Sequence, residues 1–177
     1  MAKITFILGG ARSGKSTFAL ELAKKYRQVA FIATCQGLDK EMQQRIKAHQ
    51  SSRPIHWQTF EEPKEIIRVL EKIRNNFPCI VIDCLTLLVS NLVLSGVSHD
   101  SIENNIKKVL QQLKKFKGRV IIVSNEVGLG IVPRNKLGRN FRDIAGRVNQ
   151  FMAVNADEVF FLISGIPTRI KIEKRKG

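Results

Sequence analysis

The chain has 177 residues, 44% of them hydrophobic, enough for one substantial core and too few for two, so a single catalytic domain over 1–177 is expected. No run approaches the ~20 apolar residues that a membrane-crossing helix needs, and the N-terminus enters a strand pattern with no charged-then-apolar leader, which together predict a soluble, cytoplasmic protein without a membrane span. Thirty Lys plus Arg against fifteen Asp plus Glu give a formal charge of +15 that draws polyanions; the basic residues are scattered along helices with no interleaved aromatics, so nucleotides are the expected partners and nucleic acid is not.

In chain order, short β-branched runs alternate with longer helical periods. Strands are predicted at 4–8, 29–33, 79–83, 119–124 and 158–163, and helices at 15–26, 39–50, 63–75, 85–94, 101–117 and 140–155. The strand runs are apolar nearly throughout, as strands covered on both faces are, and the alternation is that of βαβ units with a parallel sheet. Pro63 suits the first turn of its helix. The least regular stretch is 51–60, where Ser51-Ser52-Arg53-Pro54 breaks the preceding helix and 55–59 alternates like a short strand. A turn at 164–167 leads into a last edge strand at 168–172, and 171–177 is expected to be a disordered basic tail. Cys35, Cys79 and Cys84 are odd in number and form no C-x-x-C pair, so neither a disulfide framework nor a zinc site is indicated, and reduced thiols fit the cytosol.

Between the first strand and the first helix, Gly9-Gly10-Ala11-Arg12-Ser13-Gly14-Lys15-Ser16 matches G-x-x-x-x-G-K-[ST] in full. Glycines let the backbone wrap closely enough to turn its N–H groups inward, and the helix N-terminus adds partial positive charge. Lys15 would reach the β and γ phosphates of a nucleoside triphosphate, and the Ser16 hydroxyl would ligate Mg²⁺. The expected fold is therefore an α/β, P-loop NTPase-like three-layer structure with a mainly parallel central sheet and a C-terminal edge strand. A second acid on the Mg²⁺ side belongs at the end of another parallel strand, and 79–83 ends in Asp83; an Asp there could also cap the helix that follows. The motifs of a regulatory GTPase are missing: Asp83-Cys84-Leu85-Thr86 and Asn135-Lys136-Leu137-Gly138 both fail, and Asp143-Ile144-Ala145-Gly146 fits in letters but falls in a helical pattern.

His49 continues the apolar stripe of Met42 and Ile46, which alone describes a core histidine. Arg45 one turn earlier and Arg53 just past the helix favour the other reading, an imidazole facing phosphates and able to attack phosphorus. His56 and His99 carry structural readings.

Well beyond the phosphate loop, the chain resembles a family: the bifunctional adenosylcobinamide kinase / adenosylcobinamide-phosphate guanylyltransferases of cobalamin biosynthesis. The likeness rests on Gly9 to Ser16, on Ile32-Ala33-Thr34 with Gln36, and on Glu41-Met42 through Arg45-Ile46 to His49 with Arg53-Pro54 and His56-Trp57. It continues in Asn125-Glu126-Val127-Gly128, in the run from Phe141 to Gln150, and in Ser164-Gly165-Ile166. The resemblance implies phosphorylation of adenosylcobinamide by ATP or GTP. It then implies transfer of GMP from GTP to that phosphate through a covalent guanylyl-histidine, with pyrophosphate released. By the same matching His49 is the nucleophile; Thr34, Cys35, Gln36, Gln50, Ser51, Ser52, Arg53, Glu61 and Asp83 line the nucleotide site; and the protein is a homo-oligomer, a trimer. The chain departs from the family pattern at Ala48, where a second histidine is usual, at Gln50-Ser51-Ser52, where a Lys-Asp-Gly turn is common, and at Asp83, where Glu is common. The competing readings are a single-function small-molecule kinase and a nucleic-acid-binding ATPase.

Overall fold

The structure, a computed structural model, describes residues 2–37, 40–51, 53–73 and 76–171; within 40–51 the side chains of Glu41, Met42, Arg45, Ala48 and His49 lie outside the description. The elements are β1 (Lys3–Gly9), α1 (Lys15–Ala23), β2 (Val29–Ala33), α2 (Lys40–Ser51), β3 (Gln58–Glu61), α3 (Ile66–Lys72), β4 (Cys79–Asp83), α4 (Leu85–Leu94), α5 (His99–Lys115), β5 (Arg119–Asn125), α6 (Lys136–Asn155), β6 (Glu158–Ile163) and β7 (Ile166–Lys171).

The strands form one sheet in the order β3-β2-β4-β5-β1-β6-β7. All neighbours are parallel except β7, which runs antiparallel along β6 at the edge. Successive side chains of a strand point to opposite faces, and both faces are apolar. Ile4, Phe6, Leu8, Ile32, Ile80, Ile82 and Ile122 pack with α3, α4, α5 and α6. Ile7, Phe31, Val81, Ile121 and Val123 pack on the other side with Ala19 and Ala23 of α1. This two-sided burial is why the strand sequences are continuously apolar, and it makes the expected three-layer architecture.

Helix ends follow local chemistry. Ser98 caps α5 by accepting from Ser101 N at 3.3 Å; Asp100 in the first turn and Lys114 and Lys115 in the last complement the helix dipole, each by a few tenths of a kcal/mol or more. Its buried face, Ile102, Ile106, Val109, Leu110 and Leu113, has helical spacing.

Several boundaries differ from the sequence reading. The short strand expected at 55–59 lies at Gln58–Glu61. Residues 54–57 form a turn, closed by Trp57 N donating to Pro54 O at 3.0 Å, which leaves Ile55 101% exposed and Trp57 7% exposed. Pro63 does not enter α3: the Glu62 carboxylate accepts from Lys64 N and Glu65 N at 3.0 and 2.8 Å, holding a turn that delays the helix to Ile66. Helix α6 starts at Lys136, because Asn135 caps it through Gly138 N at 2.6 Å. Lys171 belongs to β7 and not to a tail, its ammonium donating to Ala153 O and Val154 O at 3.0 and 2.6 Å; 172–177 lie outside the described residues, as do Leu38, Asp39 and the end of the helix expected at 63–75.

Burial separates two aliphatic residues that the sequence alone does not. Leu88 is 0% exposed on α4, so Leu88→Ala should destabilise the fold by about 2–5 kcal/mol. Ile55→Ala should stay within about 0.5 kcal/mol of wild type. Urea unfolding followed by circular dichroism checks both.

Candidate functional site

Six parallel strands end at one edge of the sheet, and the site is built there. The chain leaves β1 at Gly9 and enters α1 at Lys15, with Gly14 as N-cap at φ 89°. Two glycines of this turn are sterically required. A Cβ on Gly9 would come 2.6 Å from Leu162 O and from Ser13 Oγ, and one on Gly14 would meet Gly165 Cα at 3.3 Å. Lys15 is 7% exposed; its ammonium donates to Gly10 O, and to Ser13 Oγ at 3.3 Å. Burial holds its pKa below the ordinary lysine value, against the opposing pull of Cys84 and Asp83. A cation so placed interacts more strongly with an anion than one in bulk water does.

An open cleft of about 740 Å³ runs along this edge. Of the residues expected to bind nucleotide, Ala11, Arg12, Ser13, Gly14, Lys15 and Ser16 line it on one side, and Cys35, Gln50, Arg53, Glu61 and Asp83 line it from β2, α2, the β3 region and β4. The opposite wall is organised by contacts among these residues. The Arg53 guanidinium lies 3.8 Å over the Phe31 ring and donates to Thr59 Oγ1 at 3.2 Å. Burial lowers its pKa, offset by Asp83 and Glu61. Gln50 donates to Glu61 Oε1 at 2.5 Å, fixing the end of α2 against β3. Ser16 and Asp83, the expected Mg²⁺ ligands, are both half-buried.

Other expected residues are placed differently. Gly9 and Gly10 form the turn without lining the cleft; Gly10 O accepts from Ser13 N at 3.3 Å as well as from Lys15. Thr34 is fully buried beneath the cleft floor, its hydroxyl donating to Cys84 O at 2.7 Å and accepting from Cys84 N at 2.8 Å, so it positions the end of β4. Gln36 is half-buried beside Cys35 and outside the lining. The Ser51 hydroxyl donates back to Lys47 O at 3.1 Å within α2. Ser52 lies outside the described residues. His49 stands on α2 between Ile46 and Gln50, both of which line the cleft. Asp143 to Gly146 sit inside α6, as the sequence reading held, and His99 meets Arg147 Nη2 at 3.3 Å between α5 and α6.

Leu87 and Val123 also line the cleft with no part in the sequence reading, and Asn125, named there only in the family likeness, joins them. Their signal is positional: Val123 and Asn125 lie in the last three residues of β5 and Leu87 in the first turn of the helix after β4, near the C-terminal strand ends where ligands gather in open α/β sheets. Asn125 is held by a buried polar network. Thr86 Oγ1 pairs with Ser124 Oγ at 2.8 Å, Ser124 donates to Asn149 Oδ1 at 2.7 Å, and Asn149 Nδ2 returns to Asn125 O at 3.0 Å. Every member is partnered, which is the condition under which such a network rigidifies a site.

Residues 5–170 match the family described as CobU, cobinamide kinase / cobinamide phosphate guanyltransferase. The chain is 41% identical over 177 residues to the bifunctional adenosylcobalamin biosynthesis protein CobU of Salmonella typhimurium, with 93% of this chain and 98% of that one covered. It is 40% identical over 177 residues to the protein of the same name from Escherichia coli, with the same coverage. To the bifunctional adenosylcobalamin biosynthesis protein CobP of Pseudomonas aeruginosa it is 41% identical over 168 residues, covering 94% of this chain and 96% of that one.

The three thiols should separate by reactivity. Cys79 and Cys84 are buried, and burial raises each pKa from 9.0 to about 12; Cys35 is half-buried in the cleft wall. Iodoacetamide at pH 8 should alkylate native protein at Cys35 alone and all three positions in denaturant, as read by peptide mass spectrometry. Because the folded thiol pKa values lie above the unfolded ones, their stabilising contribution is complete below about pH 9 and should be lost as pH rises towards 12.

Proposed function

The chain belongs to the cobinamide kinase / cobinamide phosphate guanyltransferase family, and from that premise we propose how one cleft serves both of its reactions. Each is a displacement at phosphorus of a nucleoside triphosphate. In the kinase reaction the hydroxyl of adenosylcobinamide attacks the γ-phosphorus of ATP or GTP, and the nucleoside diphosphate leaves. In the guanylyltransferase reaction GMP passes from GTP to adenosylcobinamide phosphate, giving adenosylcobinamide-GDP and pyrophosphate.

The observation that carries the reading is that the phosphate loop, Lys15, Arg53 and Asp83 share one cleft with Ile46 and Gln50 of α2. Helical periodicity puts position 49 on the face that bears 46 and 50. His49 then attacks the α-phosphorus with a neutral ring nitrogen; a P–N bond forms, the bond to the bridging oxygen breaks, and pyrophosphate departs. The phosphate oxygen of the corrinoid substrate next attacks the same phosphorus, the P–N bond breaks and the imidazole is restored. Splitting one displacement into two is the role of a covalent nucleophile. Lys15 and the inward N–H groups of 10–16 stabilise the charge on the β and γ phosphates, and Arg53 or Arg45 steadies the equatorial oxygens of the transferring group. A hydroxyl and a carboxylate oxygen suit a small hard cation that keeps its remaining positions for phosphate and water, so Ser16 and Asp83 would hold Mg²⁺. When bound, the ion neutralises the departing phosphates. The reading is completed by a cytoplasmic location, which the buried thiols of Cys79 and Cys84 suit, and by a homotrimer, which rests on the family resemblance.

Two substitutions test the assignment. Lys15→Ala should lower both activities by roughly two orders of magnitude or more. His49→Ala should abolish the acid-labile, base-stable protein adduct formed from α-labelled GTP and stop guanylyl transfer, while phosphorylation of adenosylcobinamide from γ-labelled GTP persists. An adduct that survives the change removes His49 from the role, whereas wild type that forms no adduct at all leaves a single-function kinase as the reading of the cleft.

A further inference from the structure

The hairpin joining β6 to β7 neither lines the cleft nor belongs to the sequence motif at 9–16, yet it packs against the phosphate loop. Its two turn residues both have positive φ, Ser164 at 49° and Gly165 at 87°, the pair of conformations that closes a tight two-residue hairpin with the twist of its strands. That turn presents Gly165 N outward, and Gly165 N donates to Ser13 O at 3.0 Å. The approach is close along its length. Gly9 is paired with Leu162 in the parallel register of β1 and β6; a Cβ on Gly9 would lie 2.6 Å from Leu162 O, and a Cβ on Gly14 would lie 3.3 Å from Gly165 Cα and 3.7 Å from Leu162 Cδ2.

The consequence follows from the planarity of the peptide group. Ser13 C=O and Gly14 N–H belong to one trans peptide unit, so they point in opposite directions. A hydrogen bond that holds Ser13 O towards the hairpin fixes Gly14 N–H away from it, on the side where Ser13 and Gly14 line the cleft. Without that bond the Ser13–Gly14 unit is free to rotate, because Gly14 at φ 89° is tolerant of many conformations.

We propose that Gly165 is a positioning residue for phosphate binding: the β6–β7 turn sets the orientation of the Ser13–Gly14 peptide and so aims the Gly14 N–H at the phosphates of the bound nucleotide. The proposal rests on the reading of residues 9–16 as the triphosphate cradle, and it adds a requirement from the far end of the chain. The requirement is for the backbone shape of residue 165 and not for its side chain, since a Cβ there meets nothing within 4 Å. Asparagine, which tolerates positive φ, should therefore substitute, and a β-branched residue should not.

The experiment compares wild type, Gly165→Asn and Gly165→Val by titration with a fluorescent, non-hydrolysable GTP analogue in Mg²⁺, alongside Tm measured without nucleotide. Gly165→Val should bind the analogue about tenfold or more weakly, the scale of one misdirected hydrogen bond to a charged group, and Gly165→Asn should bind within about threefold of wild type. Where the valine variant fails to fold, Gly165→Ala, which challenges only the backbone conformation, should show the same loss in smaller measure. A purely structural role predicts lowered Tm with unchanged affinity of the folded protein. That result, or a folded valine variant with wild-type affinity, overturns the proposal. Wild type that fails to bind the analogue would instead count against the cradle itself, so the two failures are distinguishable.

Discussion

The parallel pairing of β1 between β5 and β6 determines where everything else falls. Parallel strands bring all their C-terminal ends to one edge, and each crossover helix begins at that edge, so exposed N–H groups collect there with the residues that follow the strands. Gly9, Ala33, Asp83 and Asn125 end or follow β1, β2, β4 and β5, and the last three line the same cleft as the loop that Gly9 opens. No long-range coincidence is needed to assemble the site. The same pairing sets β6 and its hairpin against the back of the phosphate loop, which is how the last elements of the chain come to touch the first.

The electrostatics of the cleft are compensated and not simply basic. Lys15 and Arg53 are both held below their ordinary pKa values by burial, with Asp83 opposing the shift in each case and Glu61 opposing it at Arg53. Arg12, Lys15 and Arg53 face the carboxylates of Glu61 and Asp83 along one cleft, which keeps the local charge small although the chain as a whole carries +15. A triphosphate entering such a cleft gains two poorly hydrated cations while its charge is focused by the surrounding surface. Beneath this layer lie fully partnered polar groups, Thr34 with Cys84 and Thr86 with Ser124 and Asn149. They hold the strand ends without exposing unsatisfied atoms to a low-dielectric interior.

Much of this is legible in the amino-acid sequence itself. The phosphate loop is readable because its chemistry fixes both residue types and spacing, and the strand runs are readable because two-sided burial removes polar positions altogether. Asp83 and Arg53, read from the ends of a strand and of a helix, both line the cleft. The misreadings share one cause, local hydrogen bonds that propensity does not encode: Glu62 holding the turn that keeps Pro63 out of α3, and Asn135 starting α6 ahead of Gly138. The alternation of Ile55 and Trp57 imitates a strand but is cut by a turn that buries the indole and exposes the aliphatic residue. Thr34, matched to a nucleotide-site segment by the family likeness, sits under the floor with its hydroxyl bonded to Cys84. Leu87 and Val123 are ordinary core letters in sequence, and only the sheet order reveals that they face the cleft.

The account stands on the turn after β1 as the holder of the triphosphate tail, and a crystal structure of the protein with a non-hydrolysable GTP analogue and Mg²⁺ tests it most directly. The predicted result has the β and γ phosphates enclosed by the backbone of residues 10–16, with Lys15 Nζ drawn from Gly10 O onto phosphate oxygen and the α-phosphorus on the side of α2. A triphosphate bound elsewhere on the surface, with Lys15 still bonded to Gly10 O, would contradict it.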